Sequence, residues 1–215
     1  MAKLKDIIRE RLIALGRKEE DLKNVSEKEI AYQIANYAHR NQYRVNGEKY
    51  IEHPLSMAKN YLKIFYENSE SPYTSEAMKD NGIPKLGVVE VILLHDVVED
   101  TEYTFNDTKE VYEAFDAGWF YNEFISRPLK LITHNKEESN DVYMDKLLDD
   151  PVASLAKMFD SMDNLNVFSL TKFSDWEYHR AERYLNNIKR INDRYHYVEK
   201  INAYREDIGA KEKRA

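Results

Sequence analysis

The chain has 215 residues, 42% hydrophobic and 33% charged, with a formal net charge of −7. That length suffices for a well-buried core, and that composition excludes intrinsic disorder. The acidic balance argues against nucleic acid as a partner but leaves room for a small anion in a local basic pocket. With no cysteine, disulfides and thiolate metal sites are excluded. Any metal must then be held by imidazole and carboxylate, donors that suit manganese, iron, magnesium or zinc. No apolar run is long enough to span a membrane, and the N-terminal MAKLKDIIRERL lacks the apolar core of a secretory signal, so a cytoplasmic location is the expectation.

Helical periodicity dominates from the start. Leu4, Ile7, Ile8, Leu12 and Leu15 form one stripe and predict a first helix over 4–15. Ser26-Glu27-Lys28-Glu29 is a capping-box pattern opening a helix that reaches His39, which reads as a core histidine. A loop over 41–53 contains the turn signal Asn46-Gly47, and Pro54 starts the next helix, continued by Leu55, Ala58, Leu62 and Phe65. Residues 68–85, broken by Pro72, Gly82 and Pro84, predict a loop. LGVVEVILLHDVV at 86–98 is apolar nearly all round and predicts a central buried helix. Shorter helices are expected over 106–117 and 119–132, a surface connection over 133–140, and helices over 141–149 and 151–170 with a break at Pro151. A Tyr-rich helix or helix pair over 176–205 and a frayed GAKEKRA end complete an all-α reading as one domain, 1–215. Tyr184, Lys189, Arg190, Arg194 and Tyr195 read as a solvated face of that last helix rather than as pocket residues.

Three places could carry chemistry. Val91-Ile92-Leu93-Leu94 runs straight into His95-Asp96-Val97-Val98-Glu99-Asp100. Bringing four ionisable groups to a buried helix is costly unless they are paired or bind a cation. On a continuous helix His95 and Glu99 are four apart and Asp96 and Glu99 three apart, so all crowd one side. Adjacent His and Asp can chelate one ion through nitrogen and oxygen, with Glu99 and Asp100 toward its water. A bare His-Asp pair is by itself more often a solvated helix end. The second place is His53, fixed before the helix-starting Pro54. The third is Asp160, set among Leu155, Ala156, Met158 and Phe159, with Asn164 one turn on. Together His53, His95, Asp96 and Asp160 make a set of two imidazoles and two carboxylates drawn from three helices, with positions left for water.

The order and spacing of Ala38-His39-Arg40-Asn41-Gln42-Tyr43-Arg44, Gly47 to Leu55, Leu94 to Thr101, Asp150-Pro151-Val152 and Lys157 to Leu165 resemble the HD hydrolase domain of the RelA/SpoT-homologue family, in particular its small stand-alone alarmone hydrolases. The resemblance covers roughly residues 30–170. It implies an all-helical HD-domain bundle around a single metal, usually manganese. His53, His95, Asp96 and Asp160 would be the ligands, and Glu99 and Asp100 would activate or orient the water. Arg44 would contact phosphates and Asn164 the nucleotide sugar. The implied reaction removes the 3′-pyrophosphate from ppGpp or pppGpp, with a small nucleotide as the partner; an oligomer is compatible. At the last motif the family usually reads Asp-Arg-x-His-Asn. Here Ser161 and Asp163 replace the basic residue and the histidine, which keeps the ligand and the Asn but opens the choice of substrate. A second reading therefore keeps the metal site and takes another nucleotide, such as NADPH at its 2′ phosphate or an adenosine alarmone. A third makes the chain a non-catalytic regulatory or toxin-neutralising module, which the retained Glu99 and Asp100 oppose.

Overall fold

The computed structural model describes residues 3–65, 82–165 and 174–203, and these form an all-helical bundle. In chain order the helices are α1 (Leu4–Ala14), α2 (Glu27–Ala38), α3 (Glu52–Phe65), α4 (Val88–Leu94), α5 (Val97–Asp100), α6 (Phe105–Ala114), α7 (Ser126–Ile132), α8 (Asn140–Leu147), α9 (Pro151–Asn164) and α10 (Asp175–Tyr195). Among the described residues the extended pairing is a single bridge between Tyr43 and Lys49, which closes the loop before α3. Most of the expected 68–85 loop, the stretch that was to carry α9 to 170, and the GAKEKRA end lie outside the described residues.

Local chemistry sets the helix starts. The Ser26 hydroxyl accepts the Glu29 N–H and opens α2. Thr104 and Asp107 cap α6 reciprocally, as do Ser174 and Glu177 at α10. Asp150 accepts the N–H groups of Val152 and Ala153, and Pro151 follows at the first helical position. Gly87 precedes α4 with φ 81°, and a Cβ there would lie 2.3 Å from the Phe124 carbonyl oxygen, so only glycine fits this approach. α3 begins two residues before Pro54, which places His53 inside its first turn.

The apolar run 88–94 is buried on every side, as its sequence predicts, and α4 packs against α2, α3 and α9. The core is rich in tyrosine. Tyr61, Tyr112, Tyr121 and Tyr197 are fully buried, and each hydroxyl reaches a carbonyl, of Pro84, Glu27, Phe105 and Pro151 respectively. Large rings with a satisfied polar tip thus fill volume that aliphatic side chains would otherwise occupy.

Two expectations need correction. The helix expected over 86–98 is not continuous: it stops at Leu94 and resumes at Val97. Asp96 sits at the edge of the helical region with φ −96° and ψ −6°, and His95 Nδ1 sits 2.8 Å from the Ile92 carbonyl oxygen. The break turns the His-Asp pair out of the helical ladder. The segment 118–132 is helical as expected, but Tyr121–Ile125 is wound as a π-turn between Gly118–Phe120 and α7.

Glu90 is the one charged residue of α4 and is 3% exposed. Burial raises its pKa above the ordinary 4.5, and the negative charge of Glu27 adds to this, while its backbone hydrogen bond and Lys28 oppose it. The folded state therefore disfavours the ionised form, and the penalty grows as pH rises past the unfolded value. Glu90→Gln, which mimics the protonated acid, is expected to raise the melting temperature at neutral pH. That gain should vanish as the pH falls below 4.5, and thermal scans at the two pH values check it.

Candidate active site

Five segments converge on one cavity of about 400 Å3. Its lining includes all eight residues singled out from the sequence: Arg44 from the loop before α3, His53 from α3, His95 and Asp96 from the break after α4, Glu99 and Asp100 from α5, and Asp160 and Asn164 from α9. The tightest group is His53, His95 and Asp160, whose ligand atoms lie within 4.8 Å of one another. Asp96 joins it through Oδ2, 2.9 Å from His95 Nε2 and 4.0 Å from His53 Nε2. Asp160 Oδ1 is 3.2 Å from His53 Nε2 and 3.7 Å from His95 Nε2.

The orientation of both rings is set from behind. His95 Nδ1 faces the Ile92 carbonyl, so it carries the proton and donates it. His53 Nδ1 faces an oxygen of Asp163 at 2.7 Å and donates likewise. Both Nε2 lone pairs are thereby left pointing at the two carboxylates. His95 Nε2 is fully buried and has no hydrogen-bond partner of acceptable geometry. An ion bound about 2.0–2.2 Å from each donor sees adjacent ligand atoms roughly 3 Å apart and opposite ones roughly 4 Å apart. The imidazole–carboxylate separations, from 2.9 to 4.0 Å, fall in that span, so the set fits a divalent cation.

The electrostatics agree. Burial by itself would lower the pKa of both imidazoles, yet the adjoining carboxylates raise them: Asp96 and Asp160 at His95, Asp160 and Asp163 at His53. Burial pushes Asp96 and Asp160 up, but the cationic neighbours outweigh it and hold both below the usual carboxylate range. For Asp160 the chief of these is Lys157, whose Nζ lies 2.8 Å from Oδ2. Sites that draw protons onto imidazole in this way exchange those protons for a metal ion.

The carboxylates are held in place too. Tyr50 donates its hydroxyl to Asp96 Oδ2 at 2.5 Å. The Asn164 amide donates to Asp160 Oδ1 at 2.6 Å and to the Asp160 carbonyl, so its N–H groups serve the carboxylate beside the cavity. Glu99 accepts the His134 backbone N–H at 2.8 Å through one oxygen. Burial raises the Glu99 pKa most, the His134 N–H opposes this, and the Asp96 charge raises it further; Asp100 is raised by burial and by Asp96. Buried His39 lies outside the cavity lining; it stacks on Tyr50 and pairs with Gln42, as a core histidine would.

α10 forms part of the cavity wall, and here the reading of a solvated face needs correction. Trp176, Arg180, Arg183, Tyr184 and Asn187 line the cavity. Arg180 lies 4.8 Å over the Trp176 ring, and Arg183 5.5 Å from the centre of Tyr184. Of the five residues named from the sequence only Tyr184 takes part. Arg190 instead forks onto Asp141 and Asp145, and Tyr195 donates to the Leu148 carbonyl, which docks α10 on the body of the bundle. The spacing 176, 180, 184, 187 is one helical face and was the signal available. Lys157, Tyr50, His134 and Asp163 also belong to the site without having been picked out for it.

No family model matches the chain. Curated relatives do. A guanosine-3′,5′-bis(diphosphate) 3′-pyrophosphohydrolase of Haemophilus influenzae is 33% identical over 81 residues, 38% of this chain, and the match spans only 9% of that longer protein. The mouse guanosine-3′,5′-bis(diphosphate) 3′-pyrophosphohydrolase MESH1 is 29% identical over 161 residues, 72% of this chain and 76% of the relative. A solved structure, described as a metazoan orthologue of SpoT that hydrolyses ppGpp, superposes with a TM-score of 0.53 at 21% identity, covering 80% of this chain and 86% of that one. That superposition shows the all-helical HD-domain fold. In sequence the chain is thus similar to small stand-alone hydrolases of the MESH1 type, and it shares the all-helical fold of their metazoan SpoT-like neighbour.

Proposed function

We propose that the chain is a divalent-metal phosphohydrolase that removes the 3′-pyrophosphate from (p)ppGpp-like nucleotides, with manganese as its ion. The observation that carries this reading is the convergence of two Nδ1-anchored imidazoles and two carboxylates beside Glu99, in a cavity that a cationic, aromatic helix face also lines. His53, His95, Asp96 and Asp160 would hold the ion. When bound, it supplies positive charge at the attacked phosphorus and makes a coordinated water more acidic.

The chain's own groups do the rest. Glu99 keeps one oxygen on the His134 N–H and turns the other to the proton of the attacking water. Its raised pKa brings it closer to the operating pH, where a general base works best. Asp100, on the same helical turn and near Lys136, orients that water. Arg44 offsets charge that builds on the attacked phosphate. The water oxygen adds to the phosphorus next to the 3′ oxygen, the P–O3′ bond breaks, and the 3′ oxygen leaves as a hydroxyl, consuming one proton in place of the one Glu99 removed from the water. Arg180 and Arg183 give the cavity a second cationic side for the remaining phosphates, and Trp176 offers a ring face to the base.

A manganese-loaded preparation offered ppGpp, pppGpp, the adenosine analogue and NADPH in parallel tests the assignment. Pyrophosphate released from the 3′-pyrophosphorylated nucleotides is the expected result. Release of orthophosphate from NADPH alone would move the assignment to the second nucleotide class. No release from any of the four would leave a binding module.

A further inference from the structure

Asp163 stands where the related hydrolases usually carry histidine, and the structure gives that carboxylate two partners within the site. One of its oxygens, Oδ2, accepts the Nδ1–H of His53 at 2.7 Å and an Arg44 guanidinium N–H at 3.1 Å. Asp163 follows Asp160 by three residues on α9, so one turn presents a cation donor and the group that backs another donor on the same face. We propose that Asp163 is a positioning residue: it fixes the His53 ring for the cation and ties that ring to Arg44. The proposal rests on the reading that His53 holds the ion.

Three observations carry it. First, His53 is 3% exposed, and its buried Nδ1–H loses its carboxylate partner if Asp163 is truncated. The ring would then either leave a buried N–H unsatisfied or change tautomer and withdraw its Nε2 lone pair. Second, a carboxylate behind an imidazole makes the opposite nitrogen a stronger donor, and loss of such outer partners typically weakens metal binding about 10–100-fold. Third, Arg44 is itself largely covered, its side chain 21% exposed. With one amine on Asp163 its planar fork is held in one orientation, and the remaining N–H groups are free to meet a phosphate. One oxygen thus sets both the donor that holds the ion and the cation that meets the substrate.

The test is titration of the full chain with Mn2+, read by calorimetry, for the wild type, Asp163→Ala, Asp163→Asn, Arg44→Ala and the Arg44→Ala/Asp163→Ala double variant. Thermal melts confirm that each is folded. The expected result is Mn2+ binding about 10–100-fold weaker in Asp163→Ala. Asp163→Asn still offers an oxygen to Nδ1–H and should bind more tightly than Asp163→Ala. The double variant should bind no more weakly than Asp163→Ala, because Arg44 reaches the donor set only through that carboxylate. Wild-type affinity retained within about twofold in Asp163→Ala, or losses that multiply in the double variant, would overturn the proposal while leaving the metal site standing. A wild type that binds no Mn2+ would overturn the metal reading and this proposal with it.

Discussion

Replacing Asp160 by alanine is expected to lower kcat by more than about a thousandfold, a loss of some 4 kcal/mol of transition-state stabilisation. It should also abolish stoichiometric binding of the divalent ion. Asp160 reaches both imidazoles, 3.2 Å from His53 Nε2 and 3.7 Å from His95 Nε2. The groups that contact its carboxylate cannot replace it, since the Asn164 amide presents N–H groups there and Lys157 an ammonium. The substitution also strands Lys157, which is largely buried against Asp160. An uncompensated ammonium in such a place costs on the order of 3 kcal/mol, equivalent to a fall of roughly 6–12 °C in the melting temperature of a chain this size. Lys157→Met in the same background should recover much of that stability and none of the activity. Melting curves and kcat on the pair of variants separate the two roles of Asp160. Stability and activity rising together would show that the carboxylate serves the fold alone.

Glu99→Gln carries the second large effect: kcat down about 10²–10⁴-fold with Mn2+ affinity close to that of the wild type. The amide still offers an oxygen to the His134 N–H, so the local structure is preserved. What it lacks is the ability to take a proton. The Glu99 pKa is raised, chiefly by burial and further by Asp96. The active, ionised form is therefore lost as pH falls through that raised value, and the wild-type rate should decline on its acid side. In Glu99→Gln the corresponding limb should flatten. A kcat within about threefold of the wild type, or an unchanged acid limb, would assign the proton transfer elsewhere, with Asp100 as the next candidate.

Much of the bundle was legible in the sequence because its helices are bounded by local chemistry. Ser26 caps through an atom three residues on, and no distant partner is needed to see it. His95, Asp96, Glu99, Asp100 and Asp160 were likewise legible, since ionisable groups entering apolar runs demand an explanation, while Arg44 and Asn164 were singled out only through the resemblance to related motifs. The break at His95-Asp96 was not. A helix with an apolar sequence on every side gives no periodicity from which an interruption can be read, and the break depends on the Ile92 carbonyl being engaged by the His95 ring. α10 was misread for another reason. Arginine and tyrosine on an amphipathic helix look the same whether they face water or a cavity, and the choice is made by distant residues: Asp141 and Asp145, which anchor Arg190, and Leu148, which receives Tyr195. Asp163 looked like a loss relative to the related motif. In three dimensions it is a bond to His53 and another to Arg44, residues more than a hundred positions earlier in the chain.

The central claim is that hydrolysis depends on one divalent ion held by two imidazoles and two carboxylates. Its most direct test is pyrophosphate release from ppGpp by chelator-stripped protein during stepwise addition of Mn2+. Release should be absent at the start, rise in proportion to added Mn2+, level off at one ion per chain, and disappear again with excess chelator. Release at full rate from the stripped protein, or a titration that binds Mn2+ without any release, would contradict the claim.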